Sequence, residues 1–241
     1  MELINYAHRG ASGYAPENTF AAFYLGQRMG ANGIETDVQR TRDGVLVLFH
    51  DNNSMLRTAG RPEAIQHMTY AQLLELDLGA YMGKAFTGER IVTLEEFLRH
   101  FGGKALHLAL EIKEYGVEAD TLALIDRYCR KDHVIVTSGN IASLREMHRL
   151  DPDMRLGYLT RIVTDSLLDI LREDGIGQIC PQAPALTPEV NRRLREQGFS
   201  VRPWGITDDD VMRRMLDLRV DGMTTNWPDH LAAMLRDMPA D

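Results

Sequence analysis

The stretch from Gly33 to Asp51, GIETDVQRTRDGVLVLFHD, reads as two extended runs joined by a tight turn. Asp43-Gly44 between apolar-rich runs is a strong hairpin signal, because both central residues of the favoured two-residue turn need positive φ. With those two residues as the loop, Arg42 pairs with Val45, and counting outwards sets Asp37 opposite His50. Directly opposed residues share a face of a sheet, and side chains two apart on a strand share it too. Glu35, Asp37 and His50 are therefore expected to converge on one spot. Two carboxylates and an imidazole there mean either a metal with an acid/base partner or an ordinary cluster of surface polar groups, and the rest of the chain decides between them.

Outward from the hairpin, strand-like and helix-like segments alternate almost from end to end. Strands are expected near Leu3–His8, Gly33–Val38, Leu106–Ile112, His133–Ser138, Arg155–Leu159, Gly177–Pro181, Phe199–Trp204 and Gly222–Thr225. Amphipathic helices are expected near Glu17–Met29, Leu94–Phe101, Val117–Arg130, Ile141–Leu150, Asp165–Glu173, Pro188–Gln197, Asp208–Leu218 and Pro228–Met238. Eight such units with no strand-only block predict an α/β fold, a closed parallel (β/α)8 TIM barrel. An open doubly wound sheet is the alternative, but the Gly-rich phosphate fingerprint after its first strand is missing. The hairpin's returning arm is extra, and residues 52–90 form a small insertion over the barrel mouth, broken by Gly60, Pro62, Gly79, Gly83 and Gly88. No linker or repeat divides the chain, so residues 1–241 are expected to form one barrel domain.

Composition agrees. The 241 residues are 44% hydrophobic and 26% charged, enough for a sizeable core, and an α/β barrel of roughly 250 residues would use them all. A formal net charge of -8 with no Lys/Arg run argues against a nucleic-acid partner. The start, MELINYAHRG, has neither a basic n-region nor an apolar h-region, and no stretch reaches the roughly 18 apolar residues of a membrane span. The two cysteines, Cys129 and Cys180, lack metal-ligand spacing or a disulfide framework, and a reduced cytoplasm is the expected location.

Several further residues can carry chemistry. The first strand ends in His8-Arg9-Gly10, at the end of a barrel strand where barrel enzymes keep their chemistry. Arg9 offers a bidentate donor suited to phosphate or carboxylate. Pro16-Glu17-Asn18-Thr19 reads most simply as a helix start. In LHLALEIKE, alternation puts Ala109, Glu111 and Lys113 on one face and Leu108, Leu110 and Ile112 on the other. With the leucines against the helices, Glu111 and Lys113 point into the mouth, either as a mutual ion pair or as a third oxygen ligand and a point charge on an anionic substrate. Three carboxylates without Cys or further His in support favour a hard divalent cation, Mg²⁺ or Ca²⁺, over zinc. Trp204, with Arg202 on the same face, offers either core packing or an apolar wall for a substrate. Asn226-Trp227-Pro228 reads as architecture, a strand end followed by a helix with Pro at N1.

Together these pieces resemble the glycerophosphodiester phosphodiesterase family, in its cytoplasmic bacterial type. The matching residues are His8-Arg9-Gly10, Pro16-Glu17-Asn18-Thr19, Glu35-x-Asp37-Val38, Thr41-x-Asp43-Gly44, His50-Asp51, Glu111-Ile112-Lys113, Trp204 and Val220-Asp221-Gly222, in family order over nearly the whole chain. The resemblance implies a barrel with an insertion after the second-strand hairpin, His8 and His50 as acid/base residues, and Glu35, Asp37 and Glu111 as metal ligands. It implies hydrolysis of small-molecule glycerophosphodiesters, such as glycerophosphocholine or glycerophosphoethanolamine, to sn-glycerol 3-phosphate and an alcohol. It also suggests that the substrate's own 2-hydroxyl attacks first, through a cyclic phosphate. Substrate-binding roles fall to Arg9, Lys113 and Trp204. Ser138-Gly139 and Gly205-Ile206-Thr207 stand where family members commonly carry Ser-Phe and Thr-Val-Asn, so the departures lie at the mouth. A phospholipase D-like or phosphoinositide lyase activity on lipid phosphodiesters is the competing enzyme reading. Headgroup, choice of metal and oligomeric state are not specified by the sequence.

Overall fold

A computed structural model describes residues 3–238; the barrel domain expected over 1–241 begins and ends outside them. In chain order the elements are β1 (Ile4–His8), α1 (Phe20–Arg28), β2 (Gly33–Arg40), β3 (Leu46–Leu48), the short helices α2 (Leu56–Ala59) and α3 (Tyr70–Leu74), α4 (Leu94–Phe101), β4 (His107–Ile112), α5 (Glu118–Tyr128), β5 (Val134–Ser138), α6 (Ile141–Leu150), β6 (Leu156–Thr160), α7 (Asp165–Glu173), β7 (Gln178–Pro181), α8 (Pro188–Glu196), β8 (Ser200–Val201), α9 (Asp209–Asp217), β9 (Gly222–Thr225) and α10 (Pro228–Asp237). Seven parallel pairings run in the order β8-β7-β6-β5-β4-β2-β1-β9, with β3 antiparallel to β2. The result is a nearly closed parallel barrel ringed by helices, as the alternating pattern predicts.

The seam between β8 and β9 is held more loosely. Asp221 N–H donates to Val201 O at 2.9 Å and Thr224 N–H to Pro203 O at 3.2 Å. The Asp221 carboxylate accepts from Val201 N–H at 2.7 Å. Pro203 has no N–H to return, which stops β8 at Val201 instead of Trp204. The first helix is also shorter than expected: Pro16-Glu17-Asn18 is a turn, and Thr19 caps a helix that starts at Phe20.

Alternation along β4 decides what faces where. Leu108, Leu110 and Ile112 pack outward with helix residues Phe97, Phe101, Leu122 and Ile125 in the main core, while Ala109 lies inside the barrel with Tyr6 and Ile135. An aromatic seam joins α1 to α4, with the rings of Phe23 and Phe97 4.7 Å apart and those of Phe97 and Phe101 5.1 Å apart.

The hairpin corrects the expected register. Its loop is three residues, not two: Thr41 N–H donates to Val45 O at 2.9 Å, and Gly44 N–H closes the turn on Thr41 O at 3.0 Å. Gly44 takes φ 90°, the left-handed residue that a three-residue hairpin loop requires. The ladder therefore pairs Val38 with Leu48 and Gln39 with Val47, and Phe49 N–H donates to Asp37 O. Asp37 stands opposite Phe49, not His50, and in a continued ladder His50 would point to the wrong face. The ladder ends instead at Leu48. The Gln39 amide donates to the carbonyls of Phe49 at 2.8 Å and Asp51 at 3.3 Å, and this holds the departing arm.

Residues after the hairpin fold as the expected insertion. Met55, Ile65, Met68, Leu73, Leu78 and Ile91 form a second apolar cluster on Val47 and Phe49. No helix among the described residues is long and apolar enough to cross a membrane.

Phe97 is fully buried in the aromatic seam. Phe97→Ala is expected to lower unfolding stability by about 3–5 kcal/mol, the usual cost of removing a core phenyl ring. Equilibrium denaturation in urea measures it; a loss under about 1 kcal/mol would show that the seam is not tightly packed.

Candidate active site

Parallel pairing brings the acidic residues to one level. His8 is in register with Glu35, and Asp37 with Glu111, so the carboxyl ends of β1, β2 and β4 present one cluster. One carboxylate oxygen each of Glu35, Asp37 and Glu111 lies within 4.8 Å of the others. Glu35 and Asp37 are buried, at 3% and 0% exposure. Burial, then the charges of Asp37 and Glu111, hold the Glu35 carboxyl well above the usual carboxylate range. Burial acts the same way on Asp37, but Arg9, Lys113 and a hydrogen bond from Asn18 outweigh it and hold that group below its ordinary value.

Two cations face this cluster. Arg9 Nε stands 3.2 Å from Asp37 Oδ2, an ion-pair distance without a hydrogen bond's alignment, while its Nη1 donates to Glu17 Oε1 at 3.0 Å. Lys113 Nζ donates to Glu111 Oε1 at 2.7 Å and lies 3.5 Å from Asp37 Oδ1. The mutual ion pair of Glu111 and Lys113 is thus present, and both residues also line the cavity. A triad of carboxylate oxygens, buried at Glu35 and Asp37 and partly exposed at Glu111, suits a hard divalent cation. The raised Glu35 carboxyl reflects its burial first and, after that, the charges of Asp37 and Glu111.

The histidines stand on either side. His8 Nδ1 is 2.6 Å from Asn226 Oδ1, which also accepts from Ser12 Oγ at 2.9 Å. An amide oxygen can only accept, so Nδ1 carries the proton and Nε2, 3.9 Å from Glu35 Oε2, keeps its lone pair. Burial and the neighbouring Arg9 charge bring the His8 pKa down to about 4, against the Asn226 bond. His50 Nδ1 donates to Asp51 Oδ1 at 2.8 Å, and Arg57 from the insertion holds the other Asp51 oxygen at 3.2 Å. Both histidines line one cavity of about 630 Å³, with Arg9, Glu35, Glu111, Lys113 and Trp204. The seven side chains reach it despite the shifted hairpin register.

Trp204 is half-buried and its indole N–H donates to Cys180 O at 3.0 Å, which turns the ring into the cavity wall. Arg202 is buried beneath it, bound to Gln178 Oε1 at 3.0 Å and to Thr224 Oγ1, with its guanidinium 5.1 Å from the Tyr6 ring.

Four contributors were not anticipated from sequence. Asn18, in the turn read as a helix start, takes φ 56° and donates to Asp37 Oδ2 at 3.0 Å while accepting from Thr36 Oγ1 at 2.7 Å. Glu17 bridges Arg9 and Arg57. Asn226, assigned to architecture, orients His8. For Asn18 a signal existed, since Asn tolerates the left-handed region, but Glu17, Arg57 and Asn226 find their partners only through the tertiary fold.

Comparison with known proteins agrees with the fold. Residues 8–230 match the model of the glycerophosphoryl diester phosphodiesterase family. A glycerophosphodiester phosphodiesterase of Caldanaerobacter subterraneus subsp. tengcongensis is 33% identical over 242 residues, covering 98% of this chain and 99% of the relative. One from Bacillus subtilis is 32% identical over 250 residues, covering 94% and 84%. An Oleispira antarctica phosphodiesterase, solved in complex with the product sn-glycerol-3-phosphate, superposes with a TM-score of 0.89 at 25% identity over 98% of each chain. A glycerophosphodiester phosphodiesterase from Agrobacterium tumefaciens gives 0.83 at 27% identity, over 97% of this chain and 100% of the other.

The raised Glu35 pKa fixes a sign. Its contribution to stability is present at acid pH and is lost as the pH rises through the raised folded value, because the folded state holds that proton more tightly. A cation that replaces the proton restores the balance. The rise in Tm on adding Mg²⁺ or Ca²⁺ is therefore expected to be small near pH 5 and to grow toward pH 8.5. A Tm shift independent of pH, or one retained in Glu35→Gln, would remove Glu35 from the binding set.

Proposed function

The chain belongs to the glycerophosphoryl diester phosphodiesterase family, and from that premise we propose that it hydrolyses glycerophosphodiesters to sn-glycerol 3-phosphate and an alcohol with a divalent cation at Glu35, Asp37 and Glu111 and with His8 and His50 moving the protons. The observation that carries this reading is the carboxylate triad, its ligand oxygens within 4.8 Å of one another and two of its three members buried, flanked by two imidazoles whose Nδ1 atoms are each tied to a fixed oxygen. A cation at the triad would polarise a phosphoryl oxygen and offset the charge that builds as phosphorus is attacked.

The chain's own residues supply the rest. Arg9 and Lys113 present donors to the equatorial oxygens, and a preorganised charge of this kind is usually the largest catalytic contribution. His8, neutral at pH 7 with Nε2 free, takes the proton from the attacking hydroxyl. An imidazolium at His50 would face the Asp51 carboxylate, whereas one at His8 would sit beside Arg9, so His50 is the donor to the departing alcohol oxygen. The substrate's 2-hydroxyl is tethered next to phosphorus and enjoys a large effective molarity. In the first step its oxygen bonds to phosphorus, the bond to the alcohol breaks, and a cyclic phosphate forms. In the second, water loses a proton to His50 and its oxygen bonds to phosphorus, the ring bond between phosphorus and the 2-oxygen breaks, and His8 returns its proton to that oxygen.

His8→Ala and His50→Ala are expected to lower kcat by about 10² or more each with the metal-dependent Tm shift retained. More than about a third of wild-type kcat in either variant would make that histidine structural. A 2-deoxy analogue keeps the charge and leaving group, and it is expected to turn over at least about 10²-fold more slowly. Equal kcat on the analogue, with no cyclic phosphate visible by phosphorus NMR, would assign the attack to water. Trp204→Ala is expected mainly to raise KM, since a cavity wall helps ground and transition states alike; a large fall in Tm instead would identify Trp204 as core.

A further inference from the structure

The cavity's cations are not all matched. Arg9 is paired with Glu17 and Asp37, Lys113 with Glu111 and Asp37, and Arg202 is buried on Gln178 and Thr224. Arg161, just after β6, lines the same cavity, is exposed, and makes no ion pair among the described residues. Its guanidinium lies 5.9 Å from the centroid of the Trp204 ring. The turn that carries it is fixed, with Thr160 Oγ1 donating to Ile162 O at 2.7 Å and accepting from Ile162 N–H at 3.1 Å. Arg161 is therefore anchored through its backbone turn beside the wall, with guanidinium donors that no carboxylate among the described residues takes up.

Space and charge on that side agree. A Cβ at Gly139 would meet nothing nearer than Leu159 O at 3.9 Å, so the wall beside Arg161 is open. Among the described residues, the only carboxylates lining the cavity are Glu35 and Glu111, which belong to the triad. A quaternary ammonium placed near the wall would find no carboxylate outside the triad among the described lining residues, would meet Arg161, and would find the Trp204 ring already engaged by a cation.

From this we propose that Arg161 is a specificity-determining residue that receives a second oxyanion on the substrate, so that the preferred glycerophosphodiesters carry a carboxylate or phosphate on the alcohol and quaternary ammonium headgroups are disfavoured. This rests on the phosphodiesterase reading above. The scissile phosphate takes Arg9 and Lys113, and glycerol carries no further charge, so the second anion belongs to the alcohol.

Two matched pairs isolate the effect. Glycerophosphoserine differs from glycerophosphoethanolamine by one carboxylate, and glycerophosphoinositol phosphate from glycerophosphoinositol by one phosphate. In at least one pair, kcat/KM is expected to favour the anionic member by about tenfold or more, the lower end for a charged hydrogen bond. Arg161→Ala should bring that ratio near one, and Arg161→Glu should invert it and raise the relative rate on glycerophosphocholine. The side chain is exposed, so both variants are expected to keep the wild-type Tm. Ratios under twofold in both pairs, or a ratio that survives Arg161→Ala, would overturn the assignment while leaving the phosphodiesterase intact. Absence of turnover on every diester with Mg²⁺ or Ca²⁺ would overturn the phosphodiesterase reading and this assignment with it.

Discussion

Mutual repulsion of three carboxylates is the constraint to which the rest of the barrel answers. The parallel register that puts Asp37 beside Glu111 and Glu35 beside His8 leaves these groups no room to separate. Two full charges 4.8 Å apart repel by roughly 3 kcal/mol at an effective dielectric near 20. The fold responds by stacking cations around the cluster: Arg9 and Lys113 at its level, and Arg202 in the barrel interior near enough to pull Glu35 down. Arg202 is itself buried, held by Gln178 and Thr224 and capped by the Tyr6 ring. A lone charge there would be costly, so its position makes sense only with the acidic layer above it.

The backbone near the site is bent to the same end. Arg9 and Asn18 take φ 55° and 56°, a region that costs a non-glycine residue about 1 kcal/mol or more. Both residues sit against Asp37 Oδ2, Asn18 as a hydrogen-bond donor and Arg9 at ion-pair distance. The left-handed step at Arg9 lets β1 end at His8 and the next side chain fold back over the mouth. Gly10 follows at φ 83° against α1, where a Cβ would lie 2.4 Å from the Ala22 carbonyl carbon. Strain, close approach and chemistry therefore coincide within three residues.

What could be read from sequence followed what period and composition encode. The alternation in LHLALEIKE correctly placed Glu111 and Lys113 inward and the leucines outward, because that pattern depends only on strand pleat. The end of β8 was misjudged because a missing N–H at Pro203 matters only where a neighbour needs it, at the seam with β9. The hairpin register was misjudged by one because Asp-Gly serves both two- and three-residue loops, and the choice falls to contacts outside the hairpin: Arg42 N–H donates to Met68 O, and Tyr70 N–H to Asp43. Asn226 was hidden for a different reason, since it meets His8 across 218 residues of chain.

That misjudged register shows what the insertion does for the site. A one-residue slip in a regular strand would turn His50 away from Asp37, yet His50 lines the cavity. Two groups compensate: Gln39 catches the arm as it leaves the ladder, and Arg57 reaches across from the insertion. Arg57 grips Glu17 with two 2.6 Å hydrogen bonds and Asp51 with a third. Through Glu17 it meets Arg9, and through Asp51 it meets His50. One guanidinium thus ties Arg9, just after β1, to His50, just after β3. Tyr81, also in the insertion, accepts from the Glu17 N–H at 3.1 Å and adds a second anchor to the same turn. The insertion's apolar cluster on Val47 and Phe49 is therefore more than cover for the hairpin. Its packing sets where Arg57 stands, and so links the order of the insertion to the geometry of His50 and Arg9.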